Sequence, residues 1–431
     1  MSGIEKFYNE FYKPDIICTD SRKLKPGDIF IALRGDNFNG NEFAEAAING
    51  GAIVAVIDES IYKKLPNTIL VDDSLQFLKE LAIFHRKKAG FHVIGLTGSN
   101  GKTTTKELIL NVLSEKFICQ STKGNLNNHI GVPLTILSIE PATEFAIIEM
   151  GANHPGEIRQ LCEIALPDSG LITNIGWAHL EGFGGFEGVK KTKAELFDYL
   201  KSIKGKIYYN GSDPVLIELI DQYQNAVSYI SESGLCRGNI ENVDPVLEIQ
   251  LSDLLNNSIR ISSNLYGEYN FENIMAAACI GLDLGLNLNE IKKGIERYKP
   301  SNNRSQLIKI GSTTLILDCY NANPSSMKES LLSFSKLSSS EKVVVLGEMR
   351  ELGSYSKSEH KKLSEIIDSY HFEEVIFIGN EFIGIKIANS KYFDSVMDLK
   401  DYFNKSKYAE KYILIKGSRA NALEKILDFF K

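Results

Sequence analysis

The stretch from His92 to Leu113 constrains this 431-residue chain more than any other. It reads His92-Val93-Ile94-Gly95-Leu96, an apolar run of strand length, then Thr97-Gly98-Ser99-Asn100-Gly101-Lys102-Thr103-Thr104-Thr105, then apolar residues at helical spacing, Leu108, Ile109, Val112 and Leu113. Strand, glycine loop and helix in that order make a nucleotide-binding unit. Phosphate oxygens need several donors converging on them, and main-chain N–H groups converge only where side chains leave room. Gly98 and Gly101 leave that room at the start of a helix. Lys102 adds a mobile positive charge for the β- and γ-phosphates, and the Thr103 hydroxyl can ligate Mg²⁺. The loop is a shortened form, since the general pattern has a glycine where this chain has Leu96.

A unit of this kind belongs to a parallel sheet covered by helices on both faces. Further apolar strands are expected at 145–148 and 170–173, and an Ala-rich helix at 271–284 is expected to pack against that sheet. Ahead of it, buried strands at 28–33 and 52–57, a helical stretch at 41–49 between them and a helix at 74–88 describe a small α/β block ending at Ala89-Gly90. Proline and small polar residues break the pattern at Tyr298-Lys299-Pro300-Ser301-Asn302-Asn303. Beyond it, strands at 314–318, 342–346, 374–378 and 412–415 separated by helices read as a second doubly wound unit. The expected fold is therefore α/β in three domains: a small N-terminal one over 1–90, a central P-loop-type one over 91–299 and a C-terminal Rossmann-like one over 300–431. No internal repeat appears, which removes solenoids and propellers.

Lysine and arginine number 48 against 55 aspartates and glutamates, a net charge of −7. Such a chain has no general pull toward nucleic acid or anionic lipid, so an anionic ligand must be held by a local site. Cys18, Cys119, Cys162, Cys236, Cys279 and Cys319 form no CxxC pair, the usage of a reducing compartment. The first residues lack the apolar core of a signal peptide, and no apolar run approaches the ~18 residues of a membrane span. A soluble cytoplasmic protein without membrane insertion is the expectation.

Two more constellations follow apolar strands. In Phe145-Ala146-Ile147-Ile148-Glu149-Met150-Gly151-Ala152-Asn153-His154, Glu149 stands at a strand's carboxyl end, where an acid beside the glycine loop is placed to hold Mg²⁺. In Ile172 to Gly185, glycines flank His179, an imidazole that serves as metal ligand or as a structural histidine. Lys193, in Lys190-Lys191-Thr192-Lys193-Ala194-Glu195-Leu196, fits either a site or a solvated helix face.

Taken in order, these residues resemble the Mur ligase family, ATP-dependent enzymes that build the peptidoglycan stem peptide, and the resemblance runs through the whole chain. Thr19-Asp20-Ser21-Arg22 and 28–35 look like the family's uridine-nucleotide domain. The central runs 97–104, 127–135, 149–157 and 179–193 follow the family order, as do 318–327, 346–349 and 416–419 in the last block. The runs 149–158 and 320–324 are similar to the versions in the member that adds D-alanyl-D-alanine to UDP-N-acetylmuramoyl-tripeptide, and the Asp-Asn-Pro-Arg motif of the member that adds a diamino acid is absent. Two departures stand out: Gly267-Glu268-Tyr269-Asn270 has tyrosine where the family usually has histidine, and Gly40-Asn41-Glu42-Phe43 replaces Gly-His-Asp-Phe.

The resemblance implies transfer of the γ-phosphoryl of ATP to a peptide carboxylate and attack of an amine on the acyl phosphate. It implies that Gly98, Ser99, Asn100, Gly101, Lys102, Thr103 and Thr104 hold the triphosphate, with Asn128 near it. Thr103 and Glu149 would hold one Mg²⁺ and His179 a second, and Lys193 matches the family lysine that becomes carbamylated. Asn270 and Asn273 match the adenine side, Arg304 and Asp318 the nucleotide contacts of the last block. Ser21 and Arg22 fall in the uridine domain, while Asn323, Ser418 and Arg419 stand near the dipeptide by family position. The implied partners are UDP-N-acetylmuramoyl-tripeptide and D-alanyl-D-alanine, acted on by a monomer. A diamino-acid ligase, a folylpolyglutamate-synthase-like ligase and a non-catalytic nucleotide switch remain as alternatives.

Overall fold

The strand at the head of the glycine loop runs His92–Thr97 and lies inside a six-stranded sheet. This is a computed structural model that describes residues 3–339, 341–403 and 406–430. From edge to edge that sheet is ordered Ala226–Tyr229, Lys206–Asn210, Ser169–Ile172, His92–Thr97, Phe145–Glu149 and Cys119–Ser121, and every neighbouring pair is parallel. Alternate residues face opposite sides, as the strand period requires. Val93, Ala146, Ile148 and Ile172 pack toward the helices Ser74–Ala89, Glu157–Ala165 and Phe186–Ser202, while Ile94, Leu96, Ile147 and Leu171 pack toward Lys102–Leu113 and Asn270–Asp283. Gly95 is small for a reason: a Cβ there would lie 2.7 Å from Met150 Cε and 3.0 Å from a Pro167 side-chain carbon.

The N-terminal sheet, Ile17–Cys18, Ile29–Ile31, Val54–Ile57 and Thr68–Leu70, is likewise parallel. The helix expected at 74–88 spans Ser74–Ala89; Asp73 caps it by accepting from Gln76 N at 2.8 Å, and Gly90 ends it at φ 71°. The helical stretch expected at 41–49 divides in two. Asn39 accepts from Asn41 N and starts a 3₁₀ turn, Gly40–Phe43, so the α-helix is only Ala44–Asn49. The C-terminal sheet is ordered Gln306–Ile310, Thr313–Asp318, Tyr412–Lys416, Lys342–Gly347, Glu374–Ile378 and Ser390–Phe393, antiparallel in its first pair and parallel elsewhere.

The central strands Lys206–Asn210, Ala226–Tyr229 and Cys119–Ser121 were not expected, nor was a separate small sheet. Cys236–Asn242, Glu248–Asp253 and Ser258–Ser262 form an antiparallel three-stranded sheet that covers part of the helix Asn270–Asp283. The passage between the central and C-terminal sheets contains Asn302, Asn303 and Ser305 with φ of 56°, 58° and 46°, all left-handed. Among the described residues no helix is long and apolar enough to cross a membrane.

Candidate active site

A cleft of about 730 Å³ opens at the carboxyl ends of the central strands and is walled on its other side by the C-terminal block. The glycine loop forms its floor. Gly98 has φ 146° and a Cβ there would overlap Thr173 Oγ1; Gly101 has φ 77° and a Cβ there would lie 2.5 Å from Asn273 Oδ1. Both positions therefore demand glycine for conformation and for space. The loop is clamped from behind by the segment after Ser169–Ile172. Ser99 N donates to Asn174 O at 3.0 Å, Asn100 N to Asn174 Oδ1 at 3.0 Å, and Thr173 Oγ1 to Asn100 O at 2.6 Å. Ser99 Oγ accepts from Gly176 N at 2.9 Å and lies 3.1 Å from Gly176 O.

Lys102 opens the helix and folds its ammonium back onto the loop carbonyls of Gly98 and Ser99, at 2.7 and 3.2 Å. Desolvation in the cleft, aided by the Arg304 guanidinium, holds its pKa below the ordinary lysine value against the pull of Glu149 and Glu351. Thr103 Oγ1 donates to Glu149 Oε2 at 2.9 Å, Asn127 Nδ2 donates to Glu149 Oε1 at 2.8 Å, and Glu149 N donates to Thr122 Oγ1 at 2.9 Å. A hydroxyl and a carboxylate fixed side by side next to a phosphate loop are hard oxygen donors of the kind Mg²⁺ takes. Among the described residues no three His, Cys, Asp or Glu side chains form a metal cluster, so an ion there would complete its shell with phosphate and water.

Asn128 lines the cleft and uses its Oδ1 to accept from Gly131 N at 2.8 Å and Ile130 N at 3.2 Å at the start of Gly131–Leu137. His179, at φ 52°, also lines it and pairs through Nδ1 with the Glu351 carboxylate of the C-terminal block. That pairing holds the Glu351 carboxyl below its usual value. Asn273 and Asn270 form one buried chain, Thr105 Oγ1 to Asn273 Oδ1 at 2.9 Å and Asn273 Nδ2 to Asn270 Oδ1 at 2.8 Å. From the far wall, Arg304 stacks on Tyr320 with its guanidinium 3.7 Å from the ring centre, and Lys416 Nζ donates to Asp318 Oδ2 at 2.5 Å. Asn323 caps the helix Pro324–Ser335 and donates through Nδ2 to Asn100 Oδ1 at 2.8 Å, a direct bond between the C-terminal block and the loop.

The remaining expected residues lie off the cleft surface. Lys193, on Phe186–Ser202, is 1 % exposed, with Nζ 5.4 Å from the Phe183 ring centre, so the solvated-face reading does not hold. Burial, then the nearby Lys102 ammonium, push its pKa down to about 7 although Glu157 and Glu195 oppose the shift. Ser418 Oγ lies 2.7 Å from Asn421 Oδ1 and 2.9 Å from Glu348 O, two acceptors that share its one proton, while Arg419 is exposed with its guanidinium 5.7 Å from the Tyr320 ring centre. In the N-terminal block Ser21 begins a short turn, and Arg22 forks onto Asp20 at 2.8 and 2.9 Å, which holds the Asp20 carboxyl at about 2. Sequence reasoning did not single out Asn127, Tyr320, Glu351 or Lys416. Asn127, Tyr320 and Lys416 stood inside the quoted runs, whereas Glu351 carries no local signal of its role.

Three family profiles match the chain: "Mur ligase family, catalytic domain" over residues 14–86, "Mur ligase middle domain" over 96–281 and "Mur ligase, glutamate ligase domain" over 303–419. The chain is 36 % identical over 432 residues to the UDP-N-acetylmuramoyl-tripeptide–D-alanyl-D-alanine ligase of Bacillus subtilis (strain 168), covering 96 % of this chain and 89 % of that one. Among solved structures it is similar to MurF from Acinetobacter baumannii, with a TM-score of 0.88, 30 % identity and coverage of 96 % and 93 %. It is similar also to the MurF ligase from Thermotoga maritima in complex with ADP, with a TM-score of 0.86, 27 % identity and coverage of 100 % and 98 %.

Proposed function

This chain belongs to the Mur ligase family, and we propose that it joins D-alanyl-D-alanine to UDP-N-acetylmuramoyl-tripeptide in an ATP-driven reaction of cytoplasmic peptidoglycan precursor synthesis. One observation carries the reading beyond nucleotide binding. The loop with Lys102, the Thr103–Glu149 pair and the C-terminal wall bonded at Asn323 to Asn100 all face a single cleft.

A carboxylate does not condense with an amine at neutral pH. Moving the γ-phosphoryl of ATP onto the tripeptide carboxylate makes an acyl phosphate and ADP; the dipeptide amine then attacks the acyl carbon, an amide forms, and phosphate and a proton leave. Such chemistry depends on position and on charge neutralisation. The N–H groups in the first turn of Lys102–Leu113, where no side chain caps the helix, would meet the phosphate oxygens. Lys102 exchanges two loop carbonyls for β- and γ-phosphate oxygens. Thr103 and Glu149 are the residues that would hold Mg²⁺, which when bound offsets the phosphate charge. His179 would support a second ion. Lys193, whose burial favours the neutral amine, would add CO₂ with release of a proton, and the carbamate so formed would supply a negative charge in support of a metal ion. Arg304, Asp318, Asn270 and Asn273 take the nucleotide, Ser21 and Arg22 the uridine-linked substrate, and Asn323, Ser418 and Arg419 the dipeptide. A C-terminal wall seated on the loop excludes water, which would otherwise hydrolyse the acyl phosphate.

A phosphate-release assay tests the proposal. Release is expected only when ATP, the UDP-linked tripeptide and D-alanyl-D-alanine are all present. Release without the dipeptide, or supported by a single diamino acid instead, overturns it.

A further inference from the structure

Arg304 enters the nucleotide cleft from a passage whose backbone is left-handed on both sides of it, at Asn303 and at Ser305. Asparagine adopts that region readily; serine does so against a steric penalty, so its neighbours must hold it there. Two of those neighbours, Tyr269 and Asn270, belong to the central block, and the third, Asp318, to the C-terminal one. Ser305 is 4 % exposed, its Oγ lies 2.8 Å from Tyr269 Oη and 3.4 Å from Asn270 Nδ2, and its N–H donates to Asp318 Oδ1 at 3.3 Å. The Tyr269 ring lies directly against Gly267, which has φ 91° and on which a Cβ would overlap that ring. A tyrosine that merely filled the core would satisfy its hydroxyl within its own block, whereas this one bonds the residue next to Arg304 across the passage.

We propose that Tyr269 is a positioning residue that acts through Ser305: it fixes the strained passage in the one form that lays Arg304 on Tyr320 and into the cleft. The inference rests on the reading of that cleft as the ATP site.

Steady-state kinetics on the full chain decide it. Tyr269→Phe keeps the ring and removes the hydroxyl, and kcat/KM for ATP is expected to fall about tenfold, the scale of one lost buried hydrogen bond. KM for the uridine-linked tripeptide stays within about twofold of wild type, because nothing at that site moves. Ser305→Ala reproduces the loss. Added to Arg304→Ala, the Tyr269→Phe change alters kcat/KM for ATP by less than about twofold, since the group it positions is gone. An equal loss in both backgrounds, an Arg304→Ala protein with unchanged ATP kinetics, or a rise in KM for both substrates together would overturn the inference. Failure of the functional reading looks different: wild-type protein then releases no phosphate with all three substrates present.

Discussion

Lys193→Met isolates the energetic consequence of placing an amine where water does not reach. Methionine keeps the apolar stem and removes the charge. Burial, with the Lys102 ammonium beside it, lowers the Lys193 pKa from 10.5 to about 7. That shift corresponds to roughly 4–5 kcal/mol of preference for the neutral amine in the folded chain. In the unfolded chain the amine stays protonated up to about pH 10. Below pH 7 the fold therefore bears the whole penalty, and between about 7 and 10.5 the unfolded state binds more protons than the folded one, so stability rises with pH across that window. The variant is expected to be more stable than wild type by several kcal/mol at pH 6, with the gap narrowing by roughly 2–3 kcal/mol at pH 9. Urea unfolding in CO₂-free buffer, followed by the fluorescence of Trp177, the single tryptophan, reads the central block directly. A gap that stays flat from pH 6 to pH 9, or a variant less stable than wild type at pH 6, would refute the reasoning.

With ¹³C-bicarbonate, wild-type protein is expected to show a carbamate resonance that appears with a midpoint near pH 7 and is missing from Lys193→Met; a midpoint above pH 9 or no signal counts against a reactive amine. Lys102→Ala removes a side chain whose ammonium rests only on loop carbonyls, so it folds normally while turnover falls about 10²–10³-fold; near-wild-type ADP release from it contradicts its role. Gly101→Ala places a methyl 2.5 Å from Asn273 Oδ1 at φ 77°, a strain of at least about 1–2 kcal/mol, and calorimetry is expected to show weakened ADP binding; unchanged affinity would mean the loop does not seat the nucleotide.

Three strands of the central sheet, His92–Thr97, Phe145–Glu149 and Ser169–Ile172, were legible because they are mostly apolar runs, such as Ile147-Ile148, buried on both faces. The glycine loop was legible because the glycine spacing there answers a steric demand that the structure displays at Gly98 and Gly101. The antiparallel sheet from Cys236 to Ser262 was not. Its first strand, Cys236–Asn242, is mostly polar and largely open to solvent, so neither an apolar run nor a clean alternation marks it. Lys206–Asn210 escaped for a related reason, since the half-exposed Lys206 and the buried Tyr208 both turn their polar ends to Asp283, a partner far along the chain. The same distance hid the seam at the site. Asn100 to Asn323 and His179 to Glu351 are contacts between blocks, and no local pattern announces a partner more than a hundred residues away. Lys193 was ambiguous because a lysine-rich helix reads alike whether one of its amines faces solvent or the interior.

Asn100 gives its amide, its carbonyl and its side chain to Asn174, Thr173 and Asn323 before any ligand arrives. A socket already stiffened on three sides gains little further order on filling, so the entropy lost in docking a triphosphate there is small. A seat that met only the triphosphate would not tell one base from another, because that group is common to every nucleoside triphosphate. Choosing adenine over guanine must then be the business of walls farther up the cleft, where the seat has no say.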